Sequence, residues 1–391
     1  MRKYTVLAAA VAIHLCLGGI YAWSVFVPVL RHDFGYSSAQ SQFVFGLTVA
    51  VLCATSLVGG RMQDLMGPRL PACLSAVLLG SVYLFAGAFG DRFWGLVIGI
   101  SVLCGIGVGF GYITSIATAA KWFPGKRGMA TGIVVSGYGC AAILLSAFAE
   151  TLLTRKVPVL EIFRTVGFVY GAVVLVAAFV LHVPPPAAAT PAATGFDRRA
   201  LLSDGNFWRV ALGVACATYP GLALIGSLKP VGLWHGLDAV TATASISALA
   251  VGNGAGRVAW GMLHDRLRNR HTVLLLLGAV VISVLVYAAG GLNRSLFLAS
   301  AFALGFCYGG SLAVFPAEVA AIYGIHVMGS VYPIALLLHG GAAVVAAPLT
   351  GIGVDLTGSY WPGIGLSLVV AAVGLLLCIR LSPASDSNRP G

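Results

Sequence analysis

Arg257 stands inside an apolar run, 240–263, in the stretch Ala-Val-Gly-Asn-Gly-Ala-Gly-Arg-Val-Ala-Trp-Gly. A charge at membrane depth is costly and needs a partner or a watery cavity. No other apolar run carries a Lys or Arg so far from both of its ends, and no carboxylate stands beside this one in sequence. Arginine offers planar, two-pronged donors suited to a carboxylate, and its charge cannot be titrated away. The simplest reading is that the partner arrives with a bound molecule and is an anion. Asn253, four residues earlier, shares a helix face with Arg257 and can add a neutral donor. The competing reading is snorkelling, because Asp265 lies only about 12 Å farther along a helix at 1.5 Å per residue.

His339, in Leu336-Leu337-Leu338-His339-Gly340-Gly341, is the second polar anomaly. It could bind an anion when protonated, or gain and lose a proton. A neutral core histidine bonded to a backbone carbonyl is the alternative. His14 poses the same choice in the first apolar run, with Gly18 and Tyr21 on its own face. These two histidines are the candidate proton carriers. Tyr21, Tyr112, Tyr138, Tyr219 and Tyr308 also fall mid-run. A buried hydroxyl needs a partner, and a carboxylate would serve. Packing is the alternative for each, since Tyr83, Tyr170 and Tyr287 occupy other runs.

No enzyme constellation appears. The twelve acids fall almost entirely in loops or at the ends of apolar runs, without an acid pair or a His-Glu-x-x-His. The eight cysteines form no Cys-x-x-Cys and suit packing, so neither a metal nor another cofactor is expected. The runs Gly105-x-Gly107-x-Gly109-x-Gly111 and Gly252-x-Gly254-x-Gly256 lie inside apolar segments with no Lys-Ser/Thr after them. They suit close helix packing rather than a nucleotide loop.

The elements that must position these residues are membrane helices. The chain is 59% hydrophobic and only 9% charged, against about 25% charged for a soluble protein. Twelve apolar segments approach the roughly 20 residues a spanning helix needs. They cover about 4–30, 40–60, 70–90, 94–120, 128–153, 162–183, 207–228, 240–263, 272–291, 295–320, 327–351 and 361–381. An even number of spans puts both termini on one side. The net charge of +11 comes mainly from Lys and Arg in loops on that side. The positive-inside rule makes it the cytoplasm and removes the need for nucleic acid as a partner. Met1-Arg2-Lys3 opens an apolar run too long for a signal peptide, which reads as an uncleaved first span in the cell's inner (plasma) membrane.

The stretch from Pro184-Pro185-Pro186 to Asn206 is polar and Pro/Ala-rich, and separates six spans from six. The expected organisation is a six-helix half over 1–183, a cytoplasmic linker over 184–206, a second six-helix half over 207–382 and a short tail over 383–391. The halves echo each other. Gly60-Arg61-Met62-Gln63-Asp64 to Arg69 follows the second span, and Gly261-Met262-Leu263-His264-Asp265-Arg266 follows the eighth. Gly109-Phe110-Gly111-Tyr112 matches Gly305-Phe306-Cys307-Tyr308, and Tyr21 matches Tyr219. Parallel repeats of this kind hold a substrate site between them near mid-membrane. An acid in a short loop can bond neighbouring helix ends, so Asp64, Arg69, Asp265 and Arg266 are candidate conformational latches.

The Gly60, Asp64, Gly67, Arg69 pattern resembles the loop signature of the major facilitator superfamily. Gly18-Gly19-Ile20-Tyr21-Ala22-Trp23-Ser24-Val25-Phe26, with Asn253-x-x-x-Arg257, is similar to that superfamily's oxalate/formate antiporters and monocarboxylate (lactate-type) transporters. The resemblance implies an all-α fold of twelve transmembrane helices, working as a monomer, with Arg257 binding a substrate carboxylate. It implies that Tyr112 and Tyr138 line the cavity, and that spans 1, 4, 7 and 10, with 2, 5, 8 and 11, face it. The chain departs from the group at two places. Asn253 stands where monocarboxylate carriers often have an acid, and His339-Gly340 where the antiporters carry a lysine. One permanent positive charge better suits one negative charge. The expectation is therefore secondary transport of a small organic monocarboxylate, with proton symport preferred and carboxylate exchange the near alternative. A membrane sensor of similar fold is the rival from another class, and the loops leave no room for a signalling domain.

Overall fold

The computed structural model describes residues 2–123, 127–184, 198–267, 270–289 and 293–381. All regular structure among them is helical. The principal helices in chain order are α1 Arg2–Leu17, α2 Ser38–Met66, α3 Arg69–Phe89, α4 Gly105–Trp122, α5 Arg127–Thr154 and α6 Val159–Val180. They continue with α7 Gly205–Ile225, α8 Ala239–Leu267, α9 Arg270–Ala289, α10 Arg294–Tyr323, α11 Ile325–Thr357 and α12 Trp361–Ile379.

Ten helical stretches among the described residues are long and apolar enough to cross a membrane. The expected third and eighth spans are not among the ten. The third counts there only as the shorter apolar helix Arg69–Val82. The eighth, α8, has the length, with 29 residues, but Thr241, Thr243, Ser245, Asn253 and Arg257 dilute its apolar character.

Local sequence sets several helix ends. Ser37 and Gln40 close a reciprocal capping box at the start of α2, and the Asn293 side chain caps α10. Gly67, from the loop signature, ends α2 at a φ of 82°, where a side chain would be strained. The expected first and fourth spans are not uniform α-helices. After α1 the chain tightens into a 3-10 helix over Gly18–Val25, and a separate helix follows over Val27–Phe34. Ahead of α4, a short helix over Phe93–Leu96 widens into a π-helix over Val97–Cys104.

The chain divides into two compact units. The first takes in Met1–Ala187 together with Ile225–Pro230, and the second Ala188–Leu224 with Val231–Gly391. In the first unit α3 packs along α6, α2 along α4 and α1 along α5. The glycine run of α4 serves two faces. A Cβ on Gly105 or Gly109 would press on Thr48, Val51 and Thr55 of α2, and one on Gly107 or Gly111 on Ser75 and Leu78 of α3 and Leu17 of α1. Alternating glycines thus let one helix lie close to three neighbours.

The six residues Ile225–Pro230 belong to the second repeat by sequence and to the first unit by packing. Gln42 Nε2 donates to the Gly226 carbonyl at 2.8 Å, and the Lys229 ammonium pairs with the Glu150 carboxylate. Lys229 is buried at 6% exposure. In the second unit α8 and α10 form the most extensive helix pair. Gly252 and Gly256 lie over the carbonyls of Phe302 and Phe306, and Gly305 and Gly309 over those of Leu249 and Asn253. Gly254 faces open space, so only two of that run's three glycines are needed for packing.

Candidate functional site

In the second unit, α8 carries Asn253 and Arg257 one turn apart. The Arg257 Nε donates to Asn253 Oδ1 at 3.1 Å. Asn253 is buried and Arg257 half-buried. A side chain on Gly309 would strike Asn253, so α10 holds the amide from behind. Asn253 therefore orients the guanidinium, and its own oxygen is spent on that bond. A planar fork fixed through Nε presents its two Nη groups in a defined direction, the geometry a carboxylate matches.

His339 of α11 is buried, and its Nδ1 lies 2.8 Å from the Thr218 hydroxyl of α7. Thr218 gives its hydrogen to the Val214 carbonyl at 2.7 Å, so Nδ1–H of His339 is the donor and Nε2 the basic nitrogen. The Tyr308 ring lies 6.2 Å from the imidazole. Tyr308 and Tyr219 are both buried. Tyr308 also packs on Gly221, where any side chain would collide with its ring. One unit thus brings together Arg257, Asn253, His339 and Tyr308.

The first unit gathers the other candidates around His14. Its Nδ1 lies 2.9 Å from Ser115 Oγ, whose hydrogen goes to the Gly111 carbonyl at 2.7 Å. The tautomer is therefore the same as at His339. The His14 ring packs against Tyr112 at 5.2 Å and Tyr138 at 6.0 Å. Tyr138 is met edge-on by Tyr21 at 5.2 Å and by Tyr112 at 5.6 Å. His14, Tyr21 and Tyr138 are buried, and Tyr112 is half-buried. Each unit thus holds a histidine anchored by a hydroxyl, beside three tyrosines in the first and beside Tyr308 in the second.

The latch residues behave differently from one another. Asp64 pairs with Lys121 of α4 at 2.9 Å, an exposed pair. Among the described residues Arg69 engages no acid. Its Nε donates to the Leu181 carbonyl at the end of α6. Asp265 and Arg266 are exposed and make no hydrogen bond or ion pair among the described residues. Arg268 lies outside those residues, as do linker positions 185–197 and the tail from 382.

Three relationships were missed from sequence. Arg270 bonds the Leu381 carbonyl at 3.4 Å, the counterpart of Arg69 with Leu181 at offsets of 201 and 200 residues. That offset was the available signal. Glu318, expected at a run end, is buried at 1% exposure against His264 of α8, with Nε2 to carboxylate 3.0 Å. Lys229, just past the seventh apolar run, is buried against Glu150.

The family model of the Major Facilitator Superfamily matches residues 9–340. The chain belongs to the Major Facilitator Superfamily. As a member of this superfamily it is a multi-pass membrane transporter. Among its relatives, the oxalate:formate antiporter of Oxalobacter formigenes is 27% identical over 332 residues, covering 83% of this chain and 78% of that protein. Human monocarboxylate transporter 11 is 26% identical over 413 residues, covering 99% and 84%. A crystal structure of a bacterial homologue of the human lysosomal transporter Spinster superposes with a TM-score of 0.78 at 17% identity, covering 97% of each chain. That likeness concerns the superfamily fold alone.

Proposed function

We propose that the chain is a secondary active transporter of small organic monocarboxylates, such as lactate, pyruvate or formate, working by alternating access with proton coupling. The observation that carries the reading is the half-buried Arg257, aimed by Asn253 in a unit that also holds the buried His339. Arg257 binds the substrate carboxylate. Tyr308, Tyr219, Tyr21, Tyr112 and Tyr138 supply hydroxyls and walls. His339 takes the coupling proton on Nε2, with His14 the second candidate. A bound anion favours imidazolium over imidazole. Proton and anion then assist each other, since coupling between two bound species is reciprocal. The transporter works as a monomer in the inner (plasma) membrane, with both termini in the cytoplasm, and Asp64, Arg69, Asp265 and Arg266 lie at its conformational latches.

Similarity to the oxalate:formate antiporter supports a second reading, carboxylate exchange without a proton. Proteoliposome uptake of labelled mono- and dicarboxylates, with and without a pH gradient and with and without internal anion, tests both. The symporter accumulates a monocarboxylate when the outside is acid. The exchanger moves nothing until a counter-anion is loaded. Uptake of none of the acids under any condition would overturn both.

A further inference from the structure

His264 of α8 and Glu318 of α10 form a buried ionisable pair that the carboxylate reading does not use. Nε2 of His264 lies 3.0 Å from the Glu318 carboxylate, and the side chains are 6% and 2% exposed. Glu318 stands inside the apolar membrane-spanning stretch Arg294–Tyr323. An ionisable residue so placed is costly and by default functional. The duplicated chain supplies a control for this pair, because glycine contacts fix how the repeats correspond. Gly105 and Gly109 of α4 face the carbonyls of Thr48 and Leu52, and Gly305 and Gly309 of α10 face those of Leu249 and Asn253. The offset is 200 residues on one helix and 201 on the other. The same offsets carry Glu318 onto Thr118 and His264 onto Gln63, which are buried and 3.5 Å apart. Helix contact at this place therefore needs no charge.

Taking two charges out of water is costly, and neutral replacements are often as stable. What the second copy can do and the first cannot is bind and release a proton. The route to water is short. His264 sits in the last turn of α8, and the next residues, Asp265 and Arg266, are exposed. In the other direction the same helix leads to the anion site. Asn253, Trp260 and His264 meet α10 at Gly309, Gly310 and Glu318. Arg257 is seven residues from His264, about 10 Å along the axis at 1.5 Å per residue. The other charged or titratable groups described around the pair have engagements of their own. Arg209 of α7 donates to Asn206 at 3.1 Å, and the Cys378 thiol of α12 lies 3.6 Å from the Arg209 carbonyl. Tyr323 of α10 donates to Asp204, Arg270 of α9 to the Leu381 carbonyl, and Tyr332 of α11 packs against the same apolar cluster. Among the described residues Glu318 is the one acid within ion-pair distance of His264.

We propose that His264 and Glu318 form the site where the coupling proton is exchanged with water, and that it must be emptied before the unloaded transporter returns. The inference rests on the proton-coupled reading above. Glu318 stays ionised throughout. The proton given up at His339 is taken by the His264 imidazole, which turns a pair with a single negative charge into a closed ion pair with none. It then leaves the imidazole for water. Glu318 also balances the fixed charge of Arg257 while no substrate is bound. Anion and proton arrive together, so the charges on Arg257, Glu318, the two histidines and the substrate cancel in both the empty and the loaded transporter.

The test uses the full chain in proteoliposomes with labelled lactate, pyruvate and formate. Two rates are read: accumulation driven by an acid outside, and exchange of labelled for unlabelled substrate at equal pH. A pH difference of about one unit should let the wild type accumulate substrate about ten-fold. Exchange returns the transporter loaded, so it needs no proton release. The double change His264→Gln with Glu318→Thr copies the first repeat. It should lose accumulation and keep exchange. His264→Gln alone leaves Glu318 an amide donor and should show the same split, which guards against a folding defect in the double variant. Melting temperatures identify the folded variants. Wild-type accumulation by either folded variant would overturn the proposal. So would loss of exchange together with accumulation in both, since the pair would then serve the helix contact alone. A wild type that exchanges substrate yet accumulates none under the gradient would sink the proton-coupled reading, and this inference with it.

Discussion

Glu318 and His264 face each other inside the second unit, 3.0 Å apart and almost wholly buried. In the first repeat the same two positions hold Thr118 and Gln63, also buried and 3.5 Å apart. The duplicated helix contact is thus neutral in one copy and ionisable in the other. His264→Ala leaves the Glu318 carboxyl buried without its partner, and should destabilise by about 1–3 kcal/mol. The double change His264→Gln with Glu318→Thr copies the first repeat and should recover most of that loss. Thermal unfolding of the purified proteins measures both. A double variant no more stable than His264→Ala would show that the two contacts are not equivalent.

Arg257→Lys should raise the transport KM by roughly ten-fold or more, because a point charge lacks the fork that matches a carboxylate. Asn253→Ala should weaken binding less, since it removes only the bond that orients the guanidinium. Initial rates of labelled monocarboxylate uptake distinguish the two. Wild-type transport by a folded Arg257→Ala protein would end the carboxylate assignment.

His339→Gln should retain binding yet lose the rise in uptake at low pH. Thr218→Val removes the oxygen that accepts from Nδ1 and should blunt the same rise without abolishing it. His339→Lys should fix the charge, uncouple the proton and widen selectivity toward dicarboxylates. Full pH-driven uptake by His339→Gln would move the coupling proton elsewhere, with His14 next in line.

The exposed Asp64–Lys121 pair should contribute little to stability, well under about 1 kcal/mol. Its effect should appear in turnover. Asp64→Asn should change the maximal rate with KM nearly unchanged, and exchanging the two charges should restore the rate. Loss of affinity at constant turnover would place Asp64 at the binding site instead.

Asp238 caps α8, accepting from the Thr241 hydroxyl and backbone N–H at 2.6 and 2.9 Å. The Thr241 hydroxyl first, then its backbone N–H, holds this carboxyl below the usual carboxylate range, and Arg294 adds to the effect. A carboxyl with a lowered folded pKa stabilises above its unfolded pKa. That contribution is lost as pH falls through the folded one. Asp238→Ala should therefore lower the melting temperature at about pH 7, and by less at about pH 3. An equal gap at both would mean that the carboxylate is not what holds the cap.

Much of this was legible in the chain because membrane helices announce themselves by composition, and a duplicated chain by register. The shared face of Asn253 and Arg257 followed from four-residue spacing, and close helix packing at α8 from its glycine run. The 3-10 and π segments were not legible, because Gly18–Val25 and Val97–Cys104 are ordinary apolar sequence whose winding is set by their neighbours. His264 with Glu318 and Glu150 with Lys229 were hidden for another reason. Each joins helices 54 and 79 residues apart, and no local pattern marks a partner at that range.

The Lys229–Glu150 pair also orders events at the ribosome. Domains fold as units from the N-terminus during synthesis, at about 5–20 residues per second. The first six helices are made before Lys229 exists, so Glu150 waits through another 79 residues, about 4–16 s at those rates, for the ammonium that meets it. The six residues Ile225–Pro230 of the later half are thus recruited as a finishing piece of the earlier one. A chain cut between the halves should yield an N-terminal fragment that inserts but matures only when residues 225–230 are supplied.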